Sequence, residues 1–557
     1  MTRITRMTIL LLCVFLWSAF SGTEAKANTQ TAASCNPSDV QTAINAASEG
    51  DTVLIPACPA GVSWTSGVTI SGKGIIVQGA GPGRIIAYDN GTEVLTVGTG
   101  TLTVNIAGYS PGFSASSITT GETLRVFENN ARANYMQGTV TSLSGSTLTM
   151  NITSTGGSGS THRWLIATVP STVLINNYSI SSEGSGLFNV TEDTSFHTNI
   201  SGIKIAQGTG SISSGVVFNY ASGGQAILLH DCWIESSTND GFSVYSTTNR
   251  GVIWNCSFDS SPWAAANEAV SFRLAQSSTS SWTTPATWGA ADTTGQGNMY
   301  VETNDFHAFL DTADFDDSAR GVWRYNLMDN SGVSTHGPDS SLVGMRYFEF
   351  YNNIGVFNGY GDGTTFALDW WIYWRGGTGV VFNNTLAAIS SQDYTSPDVV
   401  LIVQNLQRNS GPDPCWGANP PSAGYYYPSP RQLGMGYVTG KGTANYPHDG
   451  VTNSPTDSIT YVGDSEPIYV WGNNRLPLNV VTRDFGSGNS TSCSGATYDS
   501  TANYVVLNRD YFNGSTAKPG YTPYTYPHPL AQCGSTATAT GSTPAAPTCL
   551  QATVVAQ

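Results

Sequence analysis

Arg320, Arg324 and Arg346 share one region of the sequence with Glu302 and Glu349, and between them lies DNSGVSTHGPDSS, which carries His336 and Asp339. An imidazole titrates near neutrality and can act as a general base, while guanidinium groups hold carboxylates bidentately and neutralise charge developing beside them. Those are the needs of β-elimination on a uronic-acid glycan, where a base takes the C5 proton while cations neutralise the carboxylate and the enolate. His336 is the better base and Arg346 the poorer one, because a guanidinium pKa lies above about 12. Arg320 and Arg324 would then be the neutralising groups, with Arg375 in WRGGTG on the following segment and Trp374 beside it to stack on a sugar ring. Glu302 and Glu349 admit a second chemistry, hydrolysis by paired carboxylates. A further reading needs no ligand: the charges neutralise one another in a structural network. The stretch DTADFDD, read as a loop with Asp311, Asp314, Asp316 and Asp317, could offer oxygen ligands to Ca²⁺ but lacks an EF-hand pattern, so no cofactor is assigned.

These groups ride on a repeat. An apolar strand followed by Asn or Cys, any residue, then an apolar residue recurs as LLHDCWI, VIWNCSF, YVETNDF, VWRYNLM, YFEFYNNI, VVFNNTL and, later, VWGNNRL. The markers Cys232, Cys256, Asn304, Asn326, Asn352 and Asn384 stand 24, 48, 22, 26 and 32 residues apart. A period in the low twenties is one coil of a parallel β-solenoid, with three short strands per coil. The interval of 48 is one coil plus the Ser/Thr/Trp-rich excursion from Gln276 to Gly297. Stacked coils bring equivalent residues to ~4.8 Å, so the asparagines can form a hydrogen-bonded ladder. Counting back from the markers stacks Arg320 on Arg346 and Glu302 on Arg324, and sets Glu302 and Glu349 two coils, roughly 10 Å, apart. Two stacked arginines repel, so this register asks for an anion close by.

At the N-terminus Arg3 and Arg6 precede an apolar run from Ile9 to Phe20 and the small-x-small sequence Ala25-Lys26-Ala27, the pattern of a signal peptide over 1–27. Ser38 to Ser48 reads as a short amphipathic helix that would cap the open end of the solenoid before the strand TVLIP. The capping segment DVQTAINAASEGDTVLIPA, the following IIVQGAG and the coils resemble right-handed parallel β-helix proteins of the pectate-lyase-like superfamily. That resemblance implies the fold, and leaves the chemistry open, since the superfamily holds lyases, hydrolases, epimerases and non-catalytic receptor-binding proteins. The expected organisation is a cap with first coils over 28–90, an antiparallel β module over 91–167, a β-helix with long loops over 168–533 and a low-complexity tail over 534–557. Within the module, ANYMQGTVTSLSGSTLTMNITSTGGSGSTHRWLI resembles a module of bacteriophage tail and virion proteins, which implies a rigid appendage or recognition device. RDYFNGSTAKPGYTPYTYPHPL is similar to the closing segment of secreted β-helix proteins.

Composition agrees with an all-β chain: charged residues are 11%, and the excess of Gly, Ser, Thr and Asn over helix formers suits strands and turns. A formal charge of -16 argues against a nucleic-acid partner. Of the 22 basic residues 17 are arginine, which favours planar carboxylate recognition. No stretch after the N-terminal one approaches the ~20 apolar residues of a membrane span. Without Cys13 eight cysteines remain, an even number that fits an oxidising compartment, and Cys35 with Cys58 is the best pair. Cys232 and Cys256 fall in the ladder column, where buried thiols or a strained bond fit better than a redox role. The leading functional expectation is an exported lyase acting on an acidic polysaccharide. The alternatives are a non-catalytic glycan-binding scaffold and a glycoside hydrolase.

Overall fold

In the computed structural model the described residues fall between 27 and 532. The segments 1–26, 274–287, 336–344, 358–369, 390–397, 406–432, 435–464, 486–506 and 533–557, with shorter stretches between strands, lie outside them. The signal-peptide reading, His336, Asp339, Asp317 and Cys415, Cys493, Cys533 and Cys549 therefore fall outside the described residues.

The chain winds as a parallel β-helix whose coils each give one strand to each of three parallel sheets. Among the described residues sheet A has twelve strands, sheet B nine and sheet C ten. One full coil runs Met299–Glu302 in A, Asp305–His307 in B and Asp311–Asp316 in C. The next runs Arg320–Arg324, Leu327–Asp329 and Val333–Thr335, and the one after runs Tyr347–Tyr351, Ile354–Phe357 and Trp370–Trp374. DTADFDD is thus a strand through Asp316 and not the expected loop; Ala313 and Phe315 alternate inward into the core and carry it into the sheet.

The turn from A to B explains the paired asparagines. Asp231, Asn255, Thr303, Tyr325, Asn352, Asn383 and Gly472 all have φ between 48° and 63°, and each precedes a ladder residue. The left-handed residue makes the bend, and the residue after it turns its side chain inward. The ladder runs Asn304 Nδ2 to Asn326 Oδ1 at 3.2 Å, Asn326 to Asn353 at 3.1 Å, Asn353 to Asn384 at 3.1 Å and Asn384 to Asn473 at 2.8 Å. Each carboxamide oxygen also accepts the backbone N–H of the preceding rung, as Asn304 does from Cys256 at 2.9 Å. The rung in YFEFYNN is therefore Asn353, and Asn352 is the bend. This one-residue correction moves the register, so Arg320 lies opposite Tyr347 and not opposite Arg346. Glu302 does face Arg324, as expected.

Inward rows of all three sheets fill the interior. Phe258, Phe306 and Trp323 stack at 4.9 and 4.8 Å on successive coils, burying rings at about 2 kcal/mol or more each. The helix Pro37–Ala46 closes the N-terminal end by burying Val40, Ala43 and Ile44, and Lys73 Nζ holds the Ile44 and Ala47 carbonyls at its C-terminus, both at 2.6 Å. The Cys35–Cys58 disulfide ties this cap to the first coil.

An antiparallel sheet D of seven strands, from Ile85–Tyr88 to Trp164–Thr168, interrupts the first coils. It has its own core around Leu124, Val126, Leu148, Met150 and Trp164, and it lays Ile85, Phe127 and Leu165 on Trp233, Leu327 and Val356 of the outer face of sheet B. Among the described residues no helix is long and apolar enough to cross a membrane.

Candidate functional site

The candidate residues separate into two places. The first is the outer face of sheet A. Here Glu302, Arg324 and Glu349 point away from the core with Tyr300, Tyr347 and Tyr351, and the C-terminal segment from Tyr521 to Gln532 lies across them as a strap. Arg324 Nη2 pairs with Glu302 Oε2 at 2.6 Å; its Nη1 donates to Tyr524 O and its Nη2 to Thr525 O, both at 2.8 Å. The other oxygen of Glu302 accepts the His528 N–H at 2.9 Å. Glu349 accepts hydrogen bonds from the Tyr347 hydroxyl and, at 2.6 Å, from the Tyr521 hydroxyl. Tyr325 stacks on Tyr526 at 3.6 Å. The anion-seeking guanidinium has thus found a carboxylate and two peptide carbonyls of its own chain.

Burial decides the electrostatics of this face. Glu349 is fully buried, which pushes its carboxyl up to about 8 against the smaller pull of the Tyr521 hydroxyl and Arg324. Burial likewise works against Arg324, but Tyr351 and Glu302 outweigh it and hold the guanidinium above its ordinary range.

The second place is the corner where each coil passes from sheet C to sheet A. Arg320 opens the A strand of one coil, Arg346 stands just before the A strand of the next, and Arg375 follows the C strand of that same coil. Arg375 Nε donates to Thr335 O at 2.6 Å and its backbone N–H to Thr335 Oγ1 at 3.1 Å, so it clasps the residue from which the His336 segment departs. Arg346 stands at the other foot of that segment, with Nη1 2.9 Å from Glu466 Oε2. Gly377, at φ 66°, lets the two coils approach: a Cβ there would lie 2.6 Å from Arg346 O. Burial, then Arg346 and Arg250, lower Arg320 to about 10. Arg320, Arg346 and Arg375 are all nearly inaccessible.

Trp374 does not serve as a sugar platform. It alternates inward with Ile372, packs edge-on to Phe348 at 5.8 Å and donates its indole N–H to Gly376 O at 2.7 Å. Tyr373 holds an outward position, ring to ring with Trp370 at 4.7 Å, and Arg375 lies over Tyr373 at 4.8 Å. Asp314 and Asp316 also alternate to this outer side of sheet C, with Asp314 in register with Ser334 and Ser334 with Tyr373. Among the described residues no group of three or more His, Cys, Asp or Glu side chains is placed to hold a metal ion.

A third charged cluster went unread in the sequence. Glu235, Asp259, His307 and Asp329 form one column on the outer face of sheet B, each three residues after its rung. The module neutralises it: Arg132 reaches Asp259 at 2.7 Å, Arg163 pairs with Asp329, and Arg84 meets Asp305 at 3.3 Å. Lys204 on sheet B itself meets Glu235 at 2.7 Å. His307 bridges Asp305 and Asp329, each at 3.0 Å. Burial alone would lower His307, but hydrogen bonds to both carboxylates and their charge raise it to about 9. The recurrence of an ionisable residue three after the marker was the available signal.

No family model matches the chain, and no curated protein does. Among solved structures it is similar to the Pseudomonas phage phi297 tailspike gp61, at 11% identity over 69% of this chain and 75% of that one, with a TM-score of 0.14. A second is the Gp54 tailspike of Acinetobacter baumannii bacteriophage AP22 in complex with A. baumannii capsular saccharide, at 10% identity over 68% and 73%, TM-score 0.15. A third is the tailspike protein gp49 from Pseudomonas phage LKA1, at 13% over 66% and 73%, TM-score 0.12. At such scores these likenesses carry no argument, and the fold assignment rests on the sheet register described above.

Proposed function

We propose that this chain is an exported, non-catalytic β-helix scaffold that binds an acidic polysaccharide. The observation that carries the non-catalytic part is the use already made of the candidate acids. Glu302 is held by Arg324 and a strap N–H, and Glu349 by two tyrosine hydroxyls, so neither is poised to protonate a glycosidic oxygen or activate water. Support for an anionic ligand comes from the C-to-A corner, where Arg320, Arg346 and Arg375 gather at the feet of the segment that bears His336 and Asp339. Export is supported by the Cys35–Cys58 disulfide, which belongs to an oxidising compartment.

That same corner favours one second reading, β-elimination with His336 as base and the arginines as neutralising groups. A single experiment separates the two. Purified protein is incubated with a panel of uronate polymers, with absorbance near 235 nm, new reducing ends and retardation in polymer-loaded native gels followed together, with and without Ca²⁺. Retardation without unsaturated products or reducing ends is the expected result; a rise in absorbance that disappears in His336→Ala overturns it in favour of the lyase.

A further inference from the structure

We propose that the segment from Tyr521 to Gln532 is a reversible strap whose closure over sheet A takes up one proton at Glu349, so that the outer face of the β-helix is closed near pH 6.5 and opens as pH rises toward 8. The geometry carries this. The strap crosses sheet A as a surface element, packing Tyr521, Tyr524, Leu530 and Ala531 on the outer aromatic row, and its polar clasps are two peptide carbonyls on Arg324, the His528 N–H on Glu302 and the Tyr521 hydroxyl on Glu349. With the strap down Glu349 is enclosed, with Tyr347 and Tyr351 on its own strand, Arg324 on the coil before, Val380 on the coil after and Tyr521 above. The nearest cation, Arg324, is already engaged by Glu302 and by strap carbonyls. With the strap up the Glu349 carboxyl would stand on an outward face in water and ionise at ordinary carboxylate pH. Closure thus moves a carboxyl from water into a pocket of neutral hydroxyls, which favours the protonated form.

The other titratable groups at this interface set the window. The phenols Tyr300, Tyr351, Tyr521 and Tyr526 are all pushed up by burial, away from this window. Lys518, at the root of the strap, lies over Trp288 at 3.9 Å and Tyr469 at 4.8 Å. Burial lowers it from an ordinary value well above this window. Arg320, lowered by burial and by Arg346 and Arg250 to about 10, stays above the window, and Arg324 is raised by Tyr351 and Glu302 against its burial. His528 works in the opposite sense: it is buried against Asp292 O, and burial lowers its pKa, so acid below its ordinary value favours an open strap. Between about pH 6.5 and 8, therefore, Glu349 is the group whose protonation differs between the closed and open states. Its closed-state pKa of about 8 lies above its open-state value, so closure is lost as pH rises across that window.

The test is hydrogen exchange of the intact protein, read by mass spectrometry on strap peptides and corrected for the intrinsic pH dependence of exchange. Protection of the strap amides should fall roughly ten- to twentyfold from pH 6.5 to 8, while amides of the strand Arg320–Arg324 keep theirs. Glu349→Gln, which mimics the protonated acid and keeps a hydrogen-bonding group for both tyrosines, should abolish that fall. Tyr521→Phe should lower strap protection at every pH without touching the β-helix itself. Protection that is flat from pH 6.5 to 8 in the unaltered protein, or that falls equally in Glu349→Gln, overturns the proposal.

Discussion

Arg324 joins its own coil, the preceding coil and the strap through one planar group: 2.6 Å to Glu302 on one side and 2.8 Å to each of two strap carbonyls on the other. Removing it leaves Glu302 as a buried charge and two carbonyls without donors. Arg324→Ala should therefore cost roughly 3–5 kcal/mol, seen as a lower denaturant midpoint, and chymotrypsin should cut after Tyr521 and Tyr524 before it cuts the β-helix. A variant whose midpoint drops by less than about 1 kcal/mol would mean that the pair behaves as a surface salt bridge.

Asn353 and Asn352 are neighbours with different tasks. Asn353→Ala removes four side-chain hydrogen bonds, to Asn326 N and Nδ2, Trp323 O and Asn384 Oδ1, and leaves buried partners unsatisfied, which should cost about 2–4 kcal/mol. Asn352→Gly places the residue best suited to φ 55° at the bend and should be near neutral, within about 1 kcal/mol. Urea denaturation of the two variants decides between this register and the one that makes Asn352 the rung.

Trp374→Ala should act on stability and leave recognition alone. Its ring is core, so the loss is a cavity of roughly 3–5 kcal/mol. The fraction that stays folded should bind uronate polymer as the parent does. An affinity loss without a stability loss would return Trp374 to the ligand.

His307 links docking of the module to pH. Its pKa is raised to about 9, so its contribution is complete below its ordinary value and is lost as pH climbs through 9. The contribution is on the order of 3 kcal/mol. Asp329 has the opposite sign: burial opposes its charge, but Arg163 and His307 hold it below the ordinary carboxylate range, so its share disappears only in acid. Chemical denaturation at pH 6.5 and 9 should show the parent losing stability while His307→Gln starts lower and changes less.

The β-helix could be read from spacing because a ladder imposes a strict repeat, and the Cys35–Cys58 pair and the capping helix followed from local cues. Register was harder. YFEFYNN offers two asparagines, and only the left-handed bend shared by Asp231, Thr303 and Tyr325 shows which of them turns inward. The error of one residue put Arg346 where Tyr347 stands. Face was harder still: Trp371, Ile372 and Trp374 are all core while Tyr373 between them is outward, and a stretch with aromatics in both phases gives no hydrophobic contrast. Glu302 as a partner of Arg324 followed from the register, but the strap carbonyl of Tyr524 on Arg324 and Arg163 on Asp329 could not be found by pattern, since they lie far along the chain and outside the repeat.

The strap has a further consequence during synthesis. Chains are made from the N-terminus and their early parts fold first. Glu302, Arg324 and Glu349 are made 226, 200 and 172 positions before their strap partners His528, Tyr524 and Tyr521. Until then the growing solenoid presents a bare face of tyrosines and charges to every chaperone and protease it meets. Only translation through His528 closes it, so the last clasp made is also a check that the message was read through to that point.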